Sequence, residues 1–263
     1  MKTKSLLALI SALALLDGCS TTRSISNSAY HEGDSSVGFA LRPNGSDAGF
    51  QYRGELSEFD VLGITRSDTA TEADIQRTLA SAKPVRIKPG ASILLVQSGA
   101  IFPDGPMVNE LSKHFRVVPF TGVPPVSRRT DDGQFERYDA GDFSKSLRLA
   151  AARGGCETIL CYWGILESRN AELATKTVSW VPVMNWLVPD ESEHMRIRLK
   201  LALVDVRTGD WSVLSPSAFD DSRISRSPRR GVADQKLVES LKRKAYEAGA
   251  KELVEGYADI AAR

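Results

Sequence analysis

The chain has 263 residues and a mass of 28.7 kDa, enough for one large domain or two small ones. With 42% hydrophobic and 25% charged residues it can build a core, which excludes general disorder. The 34 Lys and Arg stand against 33 Asp and Glu, and a net charge of +1 argues against a dedicated nucleic-acid binder. Three cysteines are too few for a disulfide scaffold or a zinc site built on thiolates alone. No apolar run reaches the roughly 18–20 residues that span a bilayer.

Lys2 and Lys4 form a basic start, and Ser5 to Leu16 is an apolar stretch of signal-peptide length. Leu16-Asp17-Gly18-Cys19 follows. It resembles the lipobox of bacterial lipoproteins: an aliphatic residue three before the cysteine, and a small residue directly before it. Asp17 departs from the pattern, standing where Ala, Ser or Thr is usual. The resemblance implies that residues 1–18 are a signal peptide cut on the amino side of Cys19. It also implies that Cys19 carries a diacylglyceryl thioether and palmitate-type acyl chains that hold the protein in a bilayer. The chemistry suits a thiolate nucleophile, and several acyl chains anchor stably where one does not. Ser20, a residue other than Asp after the cysteine, implies by the same resemblance sorting to the outer membrane, facing the periplasm. An ordinary secretory signal ending near a cysteine and a cytoplasmic protein with an apolar first helix are the competing readings. Loss of residues 1–18 removes Lys2, Lys4 and Asp17 and leaves a neutral chain, with no electrostatic preference for nucleic acid or anionic lipid.

From residue 19 to 48 the chain is rich in Ser, Thr, Asn and Gly, which predicts a flexible tether. A folded α/β domain is predicted from 49 to 263. Phe50, Tyr52, Leu56, Phe59, Val61, Leu62 and Ile64 suggest a strand or an apolar packing arm. Thr71 and Asp74 make a near capping box for a helix whose Ile75, Leu79 and Ala82 keep one face, and Pro84 stops it. Ser92–Gln97 reads as a buried strand. Gly105-Pro106 opens a helix with Met107, Leu111 and Phe115 on one face. Arg116–Phe120 is the next strand, and Thr121 to Ala140 a long loop. Asp142 caps a helix with Phe143, Leu147, Ala150 and Gly154 on one face, ended by Gly154-Gly155. Glu157–Trp163 is a strand, and Lys176–Val183 is a candidate for another. In Met195–Val206, Ile197, Leu199, Leu201 and Leu203 alternate with Arg196, Arg198 and Lys200, the pattern of a half-buried antiparallel strand. Arg207-Thr208-Gly209-Asp210 turns it back into Trp211–Leu214. After a polar stretch comes the longest helix, Ala233 to Ala262, with Val238, Leu241, Ala245, Gly249, Leu253, Gly256 and Ile260 inward. The fold class is therefore α/β: one domain with a mixed sheet, flanking helices and a long C-terminal helix.

Few residues carry a signal of chemistry. His31, His114 and His194 sit in no H-E-x-x-H, and there is no G-x-S-x-G, Walker A or G-x-G-x-x-G motif. No catalytic residue, metal or cofactor is assigned. Cys156 and Cys161, five apart on an extended strand, would lie roughly 16 Å apart, too far for a disulfide. Val178–Pro189 holds Trp180 and Trp186, two prolines and no charge. It is either a buried loop or edge strand packed on the domain, or an exposed patch for a partner or membrane surface. Arg223, Arg226, Arg229 and Arg230 form a basic cluster in a Ser-rich loop, either solvated or in contact with an acidic partner.

The order of a helix ending in AAARGGC, the strand ETILCYWG, the run LALVDVRTGDW and a terminal helix is similar to the α/β domain of the amino-terminal part of TolB, the curli-secretion lipoproteins and the lipoprotein activators of penicillin-binding proteins. Asp205, Thr208 and Gly209 match their D-x-x-T-G, and the likeness spans about residues 90–262. It implies a protein-binding domain with no catalytic residue to carry over. The insert 121–140 and the arm 49–85 depart from it. Two functions compete: a non-enzymatic outer-membrane lipoprotein that docks on envelope proteins, and a periplasmic, peptidase-like hydrolase with an unrecognised site. A concave pocket gathering His114 or His194 with acidic residues would favour the second. A homo-oligomeric ring is a third reading, from the curli likeness.

Overall fold

The computed structural model describes residues 20–27, 54–64, 70–125, 128–129, 135–136, 140–172, 191–225 and 230–257. The chain begins with strand β1 (Ser20–Ser24) and a 3-10 turn, Ile25–Asn27. Helix α1 (Glu58–Leu62) starts at Ser57, whose hydroxyl accepts from the Phe59 amide while Asp60 accepts from the Ser57 amide; Gly63, at φ 70°, ends it. Helix α2 (Glu72–Ser81) has the same reciprocal cap, built by Thr71 and Asp74. Then follow β2 (Ser92–Gln97), α3 (Gly105–Ser112) with Pro106 in its first turn, and β3 (Arg116–Phe120). A two-residue pair, β4 (Arg128–Arg129) and β5 (Phe135–Glu136), precedes α4 (Ala140–Arg153). The rest is β6 (Thr158–Glu172), β7 (Glu191–Asp205), β8 (Trp211–Leu214), β9 (Phe219–Ser225) and α5 (Arg230–Tyr257).

The spine of the sheet is the antiparallel pair β6–β7, in register over all 15 residues from Thr158↔Asp205 to Glu172↔Glu191. At about 3.3 Å per residue it is roughly 46 Å long. Short strands flank it in two halves. Beside the first half, β2 runs parallel to β6 over Thr158–Tyr162 and to β3, while β8 pairs with β7 over Leu201–Val204. Beside the second half, β1 pairs antiparallel with β6 over Ile165–Arg169 and β9 with β7 over Glu191–Ile197. The result is a mixed seven-stranded sheet whose upper half is a four-stranded antiparallel extension.

Alternation sorts the core onto two faces. Ile93 and Leu95, Leu160, Tyr162 and Leu166, and Met195 through Leu203 at every second residue pack under α3 and α5. Leu94, Val96, Ile159, Cys161, Trp163, Ala202 and Val204 pack under α1 and α4 with Leu56, Val61, Leu147 and Ala151. The turn after β7 is built by Asp205, whose carboxylate accepts from the amides of Arg207 and Thr208, and by Gly209 at φ 81°. The Asp-Thr-Gly signature is thus turn chemistry.

The sequence and the structure part in several places. Residues 20–27, predicted as tether, instead form the edge strand and turn of the sheet: Ser20 to Ser24 is polar throughout and has no apolar periodicity, yet all five residues of β1 pair with β6. The predicted arm around Leu56–Ile64 is helical at α1, because the Ser57–Asp60 cap outweighs the strand propensity of Phe59 and Val61. Ile75 and Leu79 of α2 share a face as expected, but that face is exposed, and α2 buries no residue. Asp142 lies in the first turn of α4 rather than at its cap. The long strand β6 outruns Trp163 by nine residues, and β9 occupies part of the polar stretch. The loop 121–140 contains the β4–β5 pair. Gly256 of α5 is exposed, and the segment Lys176–Val183 and Ile260 lie outside the described residues.

Candidate functional site

The most elaborated polar site in the described residues is the seat of the N-terminal segment. β1 ends where β2 ends: β2 stops at the level of Tyr162, and β1 takes up pairing with β6 at Ile165. The chain therefore turns at Ile25–Asn27 over the carboxyl end of β2, where open α/β sheets have their crevice. Gly164 makes the room. A Cβ there would stand 2.4 Å from Ile25 Cδ1 and within 2.9 Å of two more of its carbons, so Ile25 lies directly on the glycine. Ile25 is 1% exposed.

Polar groups close the seat. Ser26 Oγ donates to the Ser98 carbonyl at 2.6 Å and accepts from Gln97 Nε2 at 3.0 Å. Gln97 Oε1 accepts from Tyr162 Oη at 2.5 Å and from the Asp104 amide at 2.7 Å. Asp104 stands at the N-cap of α3 but does not cap it. Its carboxylate instead accepts from Tyr246 Oη at 2.5 Å and pairs with Lys242 Nζ at 2.9 Å. Lys242 also donates to the Ile25 carbonyl at 3.3 Å. Ser24 Oγ donates to Glu55 at 2.5 Å, and the Leu56 amide to Ser98 Oγ at 2.8 Å. This ties β1, the crevice and the start of α1 together.

Electrostatics make the seat structural. The Lys242 and Asp104 side chains are only 5% and 15% exposed, so each holds the other's charge. Burial pushes the phenols of Tyr162 and Tyr246 well above their usual range, and the Asp104 charge adds to it, so both stay protonated donors. Their rings meet edge-on at 5.9 Å and 76°. Burial also raises the Glu55 carboxyl, against the Ser24 bond that lowers it. Among the described residues no buried side-chain nitrogen or oxygen lacks a partner.

The cysteines and histidines fare differently. Cys156 and Cys161 are buried and unpaired, and desolvation raises both thiols, Cys161 most strongly. A thiolate is what attacks, so neither is poised to react. His114 and His194 are exposed, His114 beside the start of β3 and His194 in the sheet extension, so they do not meet. A shallow groove of about 320 Å³ between α3 and α5 does gather His114 with Glu110, Glu247 and Glu255. Its lining holds no hydroxyl or thiol, and Glu110 and Glu255 are in ion pairs with Lys113 and Lys251. Among the described residues no group of three or more His, Cys, Asp or Glu is placed to hold a metal, and no helix is long and apolar enough to cross a membrane.

Of the residues singled out from sequence, Cys19, Trp180, Trp186, Arg226 and Arg229 lie outside the described residues. The backbone of Arg223 is in β9 opposite Glu193, and Arg230 opens α5; their side chains lie outside the described residues too. The seat was missed. Its one sequence signal is Lys242, a lysine four residues after Val238 on the inward stripe of α5. No curated protein matches the chain significantly. The family described as YafT bacterial lipoprotein matches residues 57–256, about three quarters of the length and the whole of the domain from α1 to near the end of α5; the chain belongs to the YafT bacterial lipoprotein family.

Proposed function

We propose that the protein is a lipoprotein of the outer membrane, anchored through acylated Cys19 with its α/β domain in the periplasm, and that the domain is a non-enzymatic interaction or accessory factor of the cell envelope. The observation that carries this reading is the lipobox at Cys19 in a chain of a bacterial lipoprotein family. The resemblance to the TolB and curli-type domains supports a protein-binding role, and Trp180, Trp186, Arg223, Arg226, Arg229 and Arg230 are the candidate contact residues.

The test uses two variants of the full chain. Cys19→Ala should abolish labelling by a clickable fatty acid and move the protein from the membrane to the soluble fraction. Trp186→Ala should lose crosslinked envelope partners while its melting temperature stays put. Unchanged fatty-acid labelling in the first variant overturns the anchor. A fall in melting temperature without loss of any partner returns Trp186 to a packing role.

A further inference from the structure

The first strand begins one residue after Cys19. Five residues, Ser20 to Ser24, are in register with Arg169 to Ile165, so the segment next to the lipobox cysteine is part of the sheet. A tether of residues 19–48 would leave the domain free to turn; with about 5–6 Å × √n of reach it would allow some 30 Å of travel. The register instead leaves one peptide, about 3.8 Å between α-carbons, between the cysteine and the folded body.

The position of that end in the fold is fixed. Ser20, Arg169, His194 and Ser222 form one row across the four-stranded extension. At ~4.8 Å per strand the row is about 14 Å wide, so Ser20 and His194 are roughly 10 Å apart. The row at the other end of β6, Val117–Ile93–Thr158–Asp205, is eleven residues away, or about 36 Å. Glu172 and Glu191 are the last pair of the spine, three residues beyond the row of Ser20. The sequence between them carries two Trp and no charge from Thr177 to Pro189, and its flanking residues Glu172 and Glu191 stand at this same end. The flanks offer a bilayer less. The open face of the extension presents Glu167, His194, Arg196 and Arg198, with Arg198 in an ion pair to Glu167. The outer face of α5 presents Lys236, Arg243, Lys244, Glu247, Lys251 and Glu252, with no apolar stripe to lie in a membrane.

We infer that the upper end of the sheet, the row Ser20–Arg169–His194–Ser222, is the face of the protein that meets the phospholipid surface, and that the strands lead away from it, holding the body with α1, α3 and α4 off the bilayer. The inference rests on the acylation of Cys19. The seat makes it rigid: Ile25 on Gly164, Ser26 on Ser98 and Gln97, and Lys242 on the Ile25 carbonyl keep β1 from swinging as a loose arm.

The experiment uses the full chain, matured in cells and reconstituted in vesicles of phosphatidylethanolamine with a minor share of phosphatidylglycerol. Cys156 and Cys161 are buried, so a fluorophore goes to one introduced cysteine, His194→Cys in the row or Arg153→Cys at the far end, both exposed sites. Energy transfer to acceptors on the lipid headgroups is read, with the mass of the Cys19 peptide measured on the same samples. The expected result is acyl mass on Cys19, strong transfer at 194 and several-fold weaker transfer at 153. A Gly/Ser spacer of about ten residues placed between Cys19 and Ser20 should then bring 194 down toward 153. Acyl mass with weak transfer at both sites means a loose tether, and acyl mass with strong transfer at both means a domain lying on its side; either overturns the inference and leaves the anchor standing. Absence of acyl mass on Cys19 overturns both.

Discussion

Lys242 stands on the inward stripe of α5, one residue after Leu241 and four after Val238, where an apolar side chain would be expected. It is tolerated there because Asp104 gives up its place as a helix cap to face it. Removing one member of such a pair leaves the other buried without its counter-charge, at a cost of about 3–5 kcal/mol. Asp104→Asn should therefore lower the urea-unfolding free energy by about that much, and Asp104→Asn with Lys242→Met should lose clearly less than the two single changes added. Additive losses would mean that the two charges do not depend on one another. Glu55 offers a test by pH. Burial raises its carboxyl in the folded state, so the folded protein binds more protons than the unfolded chain between the ordinary glutamate value and the raised one. Stability from this group is present below the ordinary value and is lost as pH rises through the raised one. Glu55→Gln keeps an acceptor for Ser24 and removes the titration. It should raise the melting temperature at neutral pH and have little effect in acid; a variant equally shifted at both pH values would contradict this.

Among the elements, β7 and α2 make opposite predictions from the same kind of residue. Leu201 is 0% exposed in the middle of β7, so Leu201→Asp puts an unpaired charge into the core and should cost several kcal/mol, a large share of a domain's stability. Ile75 and Leu79 are 46% and 67% exposed, and changing both to Ser should move stability by no more than about 0.5 kcal/mol. Urea unfolding of the two variants checks both statements, and a large loss in the α2 variant would mean that its apolar face is covered. These elements also mark what the sequence discloses. The alternation in β7, the run Ser92–Gln97, the Thr71 cap and the stripe of α5 can be read directly, because each is a local pattern with a period or a cap. β1 and β9 cannot. Their residues are mostly polar and show no alternation, and what makes them strands is the exposed edge of a spine formed by residues far along the chain. The seat is hidden for the same reason: Ser26, Gln97, Asp104, Tyr162 and Lys242 come from five segments and meet only after the sheet is built.

At the scale of the molecule, the fold is a pair of 15-residue antiparallel strands dressed differently in its two halves, and the upper half depends on a short N-terminal strand. Gly164 is the point where that dependence can be cut. Gly164→Val would drive a side chain into Ile25, whose carbons already lie within 2.4–2.9 Å of where a Cβ on residue 164 would stand, and unseat β1 without touching α3 or α4. Trypsin can then reach the bond after Arg23, which in the wild type is held opposite Leu166. Cleavage there should be much faster in the variant while the remaining domain stays resistant; equal rates would mean that the strand is not held. The same pairing sets an order in time. Thr21 and Ser168 meet across 147 residues of chain, so the first strand to be made is among the last able to find its partner. If Cys19 is processed as proposed, an enzyme that must grip the backbone beside it can do so only until β6 and β7 have paired and offered β1 its edge. Once β1 zips onto β6, that backbone is withdrawn. On that proposal, maturation at Cys19 has a window that closes with folding, and a variant that folds faster than it is processed should accumulate as uncleaved precursor.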